Sequence, residues 1–305
     1  MSNRFLISVI MLTYNREKLL SNMIECIRNQ VHKEFEFIII DNGSTDSSGI
    51  IAEKYARVDA RIRVRHIEKS SIGRGRNIGL SLAKGDYIAF VDDDDTCDQK
   101  YLQMLYELVS DSHADIAICG TDCKTYDMYM QLNSKEALMH LLDRKYYNVG
   151  FPTKLIKRSL FSDCIFDEQS RYDDIYLMPK IIGTAKKIVY HGLPYYTVNR
   201  HENNNSAWTT NHSLLTKETL KEYLTVYRKR TEWLISLYPE ERLIWRYYEW
   251  SFYISMVQKI ITLNIDECEE LCNYMKLELF KNKTLFLKTT KIQDYEVRWM
   301  EEFIS

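Results

Sequence analysis

The sequence predicts an α/β fold, with a mostly parallel sheet flanked by helices and a helical C-terminal appendage. Short apolar runs alternate with segments of helical spacing through the first part of the chain, an order typical of parallel sheets. After about residue 211 the strand-like runs fade and helical spacing dominates. We therefore expect one α/β domain over residues 1–212 and a helical region over residues 213–305.

The strands of the first domain are predicted from their apolar runs. Residues 7–12, 35–40, 87–91 and 116–119 are continuous apolar stretches, as expected for strands buried on both faces. Residues 62–67 alternate apolar and basic, which indicates a less buried strand. Gly73 and Gly75 predict a loop before a helix that carries Ile78 and Leu82.

The helical region is predicted from a seam of apolar residues whose spacing alternates between four and three. Its members are Leu243, Tyr247, Trp250, Ile254, Val257 and Ile261. This spacing is typical of a helix that packs on another helix.

Composition excludes several classes of protein. A formal net charge of -2 disfavours a general nucleic-acid binder, so we expect no nucleic-acid partner. The seven cysteines form no C-x-x-C pair, which predicts reduced thiols and no zinc site. No apolar run is long enough to span a membrane, so we expect a cytoplasmic protein that can still touch the inner face of the membrane.

Four adjacent aspartates, residues 92–95, directly follow the strand at 87–91. In a parallel sheet, ligands bind at the carboxyl ends of the strands. A hard divalent cation would relieve the repulsion among these carboxylates, and Mg²⁺ and Mn²⁺ both prefer oxygen ligands. We therefore expect a site for Mn²⁺ or Mg²⁺ here, and the alternative is a solvated acidic loop.

Two further polar loops are predicted at the same edge of the sheet. Thr13, Tyr14 and Asn15 end the first strand, and Asp41 and Asn42 end the second. A carboxylate or amide there can hydrogen-bond a pyrimidine ring, and Tyr14 offers an aromatic wall. Residues 41–42 could instead form a turn that caps the next helix, and both interpretations can hold together.

The order of these motifs resembles the family 2 glycosyltransferases with a GT-A (Rossmann-like) fold. The matching segments are residues 12–15 (Leu-Thr-Tyr-Asn), 41–46 (Asp-Asn-Gly-Ser-Thr-Asp), 76–80 (Arg-Asn-Ile-Gly-Leu), 85–88 (Gly-Asp-Tyr-Ile) and 91–95 (Val-Asp-Asp-Asp-Asp). The resemblance covers residues 5 to about 120. Leu12 stands where the family usually has proline, and Asn42 replaces a frequent aspartate.

The resemblance implies a donor site for a nucleotide diphosphate sugar. It assigns nucleotide binding to Thr13, Tyr14, Asn15, Asp41, Asn42, Arg76, Asp92 and Asp93, and metal binding to Asp94 and Asp92. Uridine is the expected base, although the amide of Asn42 could change the preference.

The acceptor side of the site is expected in residues 151–201. Residues 171–177 resemble the family segment that carries the general base, with Asp174 at the base position and Asp173 beside it on the acceptor side. Lys154 is a second acceptor-side candidate, and a surface lysine is its alternative. Arg200 and His201 are candidates for binding the diphosphate, unless they belong to an ordinary polar loop.

The expected function is metal-dependent, inverting transfer of a hexosyl or N-acetylhexosaminyl group to a glycan, lipid-linked or glycoprotein acceptor. A dehydrogenase is disfavoured because residues 73–79 follow the third strand and not the first. A catalytically inactive binding subunit remains an alternative. The helical region could shape the acceptor site, form a homodimer or rest on a membrane.

Overall fold

The computed structural model describes residues 5–123, 125–172, 174–199 and 211–304. By its contacts the chain divides into two compact units, residues 1–199 and residues 200–305. The sequence predicts the domain boundary further along the chain, after residue 212, and that boundary stays a prediction.

The described part of the first unit forms one sheet and six α-helices. The strands are β1 (Ile7–Thr13), β2 (Phe35–Asp41), β3 (Ile62–His66), β4 (Tyr87–Asp92), β5 (Thr96–Cys97), β6 (Ile116–Thr121), β7 (Tyr129–Leu132), β8 (Lys154–Lys157) and β9 (Ile188–Thr197). The helices are α1 (Leu20–Arg28), α2 (Ser48–Val58), α3 (Ile72–Leu82), α4 (Tyr101–Ser112), α5 (Ser134–Asp143) and α6 (Asp174–Thr184).

The sheet runs in the order β3-β2-β1-β4-β8-β6-β9-β5, and β7 also pairs with β9. β8 is antiparallel to both β4 and β6, and β9 is parallel to β6. Consequently β1, β2, β3, β4, β6 and β9 point the same way, while β5, β7 and β8 oppose them. The predicted mostly parallel α/β sheet is confirmed for the described residues.

β1 is buried on both faces, because its side chains alternate between two layers of helices. Val9 and Met11 belong to a core cluster that also includes residues of α1 and α4. On the other face Ile10 and Leu12 meet α3, where a Cβ at Gly79 would lie 2.5 Å from Ile10 Cγ2. The predicted loop at residues 73 and 75 is wrong, since both glycines lie inside α3. Gly75 lets that helix approach Leu12 of β1 closely.

The described part of the second unit is helical. Its α-helices are α7 (Lys217–Leu237), α8 (Arg242–Thr262), α9 (Glu269–Leu287) and α10 (Asp294–Phe303). The predicted apolar seam lies on α8; its four central members are buried and its end members Leu243 and Ile261 are exposed. Within the part of the chain that the structure describes, no helix is both long and apolar enough to cross a membrane.

Candidate active site

Three neighbouring strands end together at one edge of the sheet. β1 lies between β2 and β4, and the register pairs Thr13 with Asp41 and Leu12 with Asp92. Because these strands are parallel, the loops that follow them open on the same side. The structure therefore gathers the loops in which the sequence predicts the donor site.

Two arginines face the aspartates that follow β4. Arg16 Nε lies 3.6 Å from Asp93 Oδ1, and Arg16 Nη2 lies 3.9 Å from Asp94 Oδ2. Arg76 Nη2 lies 3.6 Å from Asp92 Oδ1. These separations exceed a normal hydrogen bond, so the attraction between these atoms is electrostatic.

The sequence analysis missed Arg16. Its position just beyond the end of β1 was the signal that could have identified it, since that loop was already expected at the site. The backbone N–H of Arg16 donates to Ser48 Oγ at 2.8 Å, which fixes the loop against the start of α2.

The aspartates are crowded and poorly solvated. Desolvation raises the pKa of Asp92, the charges of Asp94 and Asp174 raise it further, and Arg76 opposes them. Desolvation likewise raises the pKa of Asp93 to about 7. The side chain of Asp92 is nonetheless 45% exposed, so a ligand can reach it from solvent. A divalent cation would favour the ionised form of all these carboxylates.

Asp95 has a supporting role, because it is buried and bound to the end of β9. The backbone N–H of Asn199 donates to Asp95 Oδ1 at 2.8 Å, and Asn199 Nδ2 donates to the carbonyl of Asp94 at 2.8 Å. The backbone N–H of Asp92 donates to the buried hydroxyl of Tyr196 at 3.1 Å. Tyr196 and Asn199 were missed by the sequence analysis, since β9 was not among the predicted strands.

Arg76 occupies a pocket of aromatic rings between the two halves of the site. Its guanidinium carbon lies 5.3–6.0 Å from the ring centroids of Phe90, Phe151 and Phe166. Its charge opposes the raised pKa of both Asp92 and Asp174. Arg76 is thus electrostatically linked to a carboxylate on the donor side and to one on the acceptor side.

Asp174 begins α6, and its Oδ1 accepts the N–H of Ile175 at 2.9 Å. Burial raises the pKa of Asp174, while Arg76, that backbone hydrogen bond, Arg144 and Lys154 lower it. A desolvated carboxylate with a raised pKa in a cleft is suited to proton transfer near neutral pH.

Lys154 is the first residue of β8 and is fully buried, so the surface-lysine alternative is wrong. Its Nζ donates to the carbonyl of Gly150 at 2.5 Å. Burial lowers the pKa of Lys154 to about 7, while Cys119 and Asp174 raise it. Lys154 therefore lies inside the sheet, and a direct contact between its side chain and an acceptor stays a prediction.

Tyr14 lies at the mouth of the candidate base site and is 39% exposed. Lys69 Nζ lies over its ring, 2.8 Å from the centroid, and Lys69 is a further residue that the sequence analysis missed. Asn15 has a φ of 52°, a left-handed conformation that asparagine tolerates, and its Oδ1 accepts the N–H of Thr45 at 2.8 Å.

Asp41 and Asn42 already have protein partners. Asp41 accepts the N–H of Ser44 at 3.0 Å and contacts His66 Nδ1 at 2.8 Å. The Asn42 Oδ1 accepts the Ser70 N–H at 2.9 Å, and its Nδ2 donates to the Ser70 carbonyl at 2.9 Å. The bond from Ser44 to Asp41 fits a turn, but the predicted helix cap is wrong, since α2 has Ser47 as its N-cap. Contact of either residue with a base stays a prediction.

Three predicted site residues, Asp173, Arg200 and His201, lie outside the described residues. Among the residues that are described, no group of three acidic, histidine or cysteine side chains is arranged to hold a metal by itself. That arrangement still fits Mg²⁺ or Mn²⁺, because such ions are commonly held by one or two carboxylates together with substrate phosphates.

Comparisons with known proteins show the family and the fold of this chain. The model of the family described as "Glycosyl transferase family 2" matches residues 8–166. Glycosyltransferase GlyG of Streptococcus pneumoniae serotype 4 is 34% identical over 203 residues, which are 61% of this chain and 67% of GlyG. Glycosyltransferase GlyA of the same organism is 27% identical over 266 residues, which are 74% of this chain and only 37% of GlyA.

Solved structures share the fold. Residues 1–349 of TarS from Staphylococcus aureus in complex with UDP-GlcNAc superpose with a TM-score of 0.62 at 19% identity, covering 92% of this chain and 90% of that one. The mannosyltransferase PcManGT from Pyrobaculum calidifontis in complex with GDP-Man and Mn²⁺ gives a TM-score of 0.59 at 14% identity, covering 99% and 86%.

The fold is that of the GT-A glycosyltransferases. The chain belongs to glycosyl transferase family 2, whose model spans more than half of it.

Proposed function

We propose that the protein transfers a sugar from a UDP-sugar to a glycan, lipid-linked or glycoprotein acceptor, with inversion and with Mn²⁺ or Mg²⁺ as cofactor. The observation that carries the proposal is the position of Arg76, whose charge acts on both Asp92 and Asp174. One cleft thereby combines carboxylates suited to a metal and diphosphate with a carboxylate suited to proton transfer.

On the donor side, Asp94 and Asp92 would hold the metal and Asp93 would lie near the ribose and diphosphate. The metal, when bound, supplies positive charge to the departing diphosphate. Arg16, 3.6 Å from Asp93, offers a further cation beside this position. Arg200 and His201 remain candidates for closing over the diphosphate.

On the acceptor side, Asp174 would take the proton of the attacking hydroxyl in a single in-line displacement. Its raised pKa makes it a stronger base than an ordinary carboxylate, while the charge of Arg76 favours its ionised form. Inversion of an α-linked donor would give a β linkage. Asp173 and Lys154 stay acceptor-side candidates.

TarS, whose structure holds UDP-GlcNAc, and PcManGT, whose structure holds GDP-Man and Mn²⁺, support a nucleotide-sugar donor and a divalent metal. We favour UDP because Tyr14, Asp41 and Asn42 would line a site for a pyrimidine base. We also propose that the helical region, residues 213–305, shapes the acceptor site or joins two copies of the chain.

The experiment is calorimetric titration with UDP, GDP, CDP and dTDP, with and without Mn²⁺. We expect metal-dependent UDP binding that is lost in Asp94→Ala and kept in Asp111→Ala, an exposed carboxylate on α4. Preference for another base would overturn the role of residues 41–42. Failure to bind any nucleotide would favour a non-catalytic subunit.

A further inference from the structure

Two cysteines from distant parts of the sequence meet beside the candidate metal loop. The thiols of Cys26, in α1, and Cys97, in β5, hydrogen-bond to each other. Both are partly exposed free thiols, so a small oxidant can reach the pair. The sequence analysis considered the cysteines only as reduced thiols, because no spacing along the chain indicates this contact.

Gln30 holds the Cys97 side of the pair in place. This buried side chain donates through Nε2 to the Asp98 carbonyl at 2.7 Å and to the Cys26 carbonyl at 3.0 Å, and it approaches Cys97 Sγ at 3.5 Å. Its Oε1 accepts the N–H of Leu102 at 2.8 Å. α1 and β5 are therefore held together independently of the two sulfurs, which keeps the thiols facing each other.

β5 is linked to the aspartates at residues 92–95 both along the chain and through Tyr196. It directly follows residues 92–95, and Cys97 pairs with Tyr196 on β9. The hydroxyl of Tyr196 accepts the N–H of Asp92 at 3.1 Å. A displacement of Cys97 is thus transmitted to the aspartates along the chain and through Tyr196.

We propose that Cys26 and Cys97 form a dithiol site that a small-molecule disulfide oxidises to an intramolecular disulfide, weakening nucleotide binding at Asp92 and Asp94. The effect on binding rests on the proposed function, whereas formation of the bond does not. A disulfide brings its sulfurs into covalent contact, closer than two hydrogen-bonded thiols, so closure draws β5 towards α1.

The chemistry balances with one molecule of oxidant. The Cys26 thiolate attacks the small disulfide, forms a mixed disulfide and releases one thiolate. Cys97 then loses its proton and attacks the Cys26 sulfur, releasing the second thiol, so two protein thiols are oxidised as one disulfide is reduced. The hydrogen bond between the two thiols lowers the pKa of Cys26 and raises the pKa of Cys97, so Cys26 ionises first and is the first nucleophile.

The test treats the full chain with oxidised glutathione and maps the products by mass spectrometry after digestion without reductant. We expect one peptide pair linked through Cys26 and Cys97, a severalfold weaker UDP affinity in the presence of Mn²⁺, and recovery of both with dithiothreitol. Cys26→Ser and Cys97→Ser should each prevent the link. Cys123→Ser, at an exposed cysteine, is the matched control and should leave the link intact.

Two outcomes would overturn the proposal. One is glutathione attached elsewhere with no link between residues 26 and 97. The other is complete linkage with unchanged UDP affinity. If the reduced protein binds no nucleotide at all, the proposed function fails. The mapped link between residues 26 and 97, together with a shift in the thermal stability of the oxidised protein, still decides whether the dithiol site exists.

Discussion

Asp95 lies in a buried position that disfavours the ionised form of its carboxyl group. It is 3% exposed, and desolvation raises its pKa to about 7, with the charges of Asp92 and Asp94 adding to the effect. A folded-state pKa above the unfolded value near 4 means that the folded protein binds more protons between about pH 4 and pH 7. In the absence of metal, stability contributed by this group is therefore present below pH 4 and lost as the pH rises through 7.

Asp95→Asn removes the charge but keeps an oxygen that can accept the Asn199 N–H. We expect this variant to be more stable than the parent at pH 8, by on the order of 4 kcal/mol at most, and nearly equal to it at pH 4. Urea unfolding at both pH values, without metal, measures the difference. Asp98→Asn, at an exposed carboxylate nearby, is the control and should show no such pH dependence.

The burial argument would be contradicted if the difference in free energy of unfolding between Asp95→Asn and the parent were the same at pH 4 and at pH 8.

At the residue scale, the sequence predicted the groups that sit next to a recognisable strand end. The aspartates at 92–94 and the arginine at 76 fall there. Lys69 was missed because its side chain reaches the site from a loop whose path depends on tertiary packing. Arg16 was missed although its position just after β1 could have identified it. The burial of Lys154 was also unpredictable, since its strand lies between two others that are distant in sequence.

Helix α3 depends on its glycines for its distance from the sheet. A Cβ at Gly79 would lie 2.5 Å from Ile10 Cγ2, a β-branched side chain with little freedom to move. We expect Gly79→Ala to destabilise the protein by about 1–3 kcal/mol in urea unfolding, despite the better helix propensity of alanine. Because Arg76 lies on the same helix, UDP affinity should weaken as well.

Ser81→Ala, at an exposed position of α3, should change the free energy of unfolding by less than about 0.5 kcal/mol. Equal effects from the two substitutions would show that helix propensity, and not contact with β1, determines the outcome.

At the element scale, the buried strands β1, β2, β4 and β6 were predicted closely because each is a continuous apolar run. β5 has two residues and β7 is mostly exposed, so neither carries such a signal. β9 contains Gly192 and Pro194 and changes register against β6, which obscures its pattern. The missed strands complete the half of the sheet that supports Asp95 and Lys154.

The helical unit exposes large apolar side chains on α9. Leu277, Phe280 and Leu285 are 51%, 58% and 51% exposed. We predict that this surface joins two copies of the chain, because burying such side chains is favourable. Light scattering should give a dimer for the parent and a monomer for Phe280→Glu, with Lys281→Glu as the neighbouring exposed control. A parent that stays monomeric well above assay concentrations would contradict the prediction.

For the whole molecule, the family and fold follow from the motifs, whereas donor and acceptor depend on loop geometry that the motifs do not determine. The central claim is that one cleft combines a donor site with a base on α6. At that base, Asp174, burial outweighs the opposing charge of Arg76 and raises the pKa of the carboxyl group.

The most direct test is Asp174→Asn, measured for sugar transfer and for UDP binding in the presence of Mn²⁺. The account predicts that transfer from UDP-sugars falls by at least about 100-fold, as expected for loss of a general base, while UDP affinity stays within a few-fold of the parent value. Turnover close to that of the parent would contradict the assignment of Asp174 and with it the proposed mechanism.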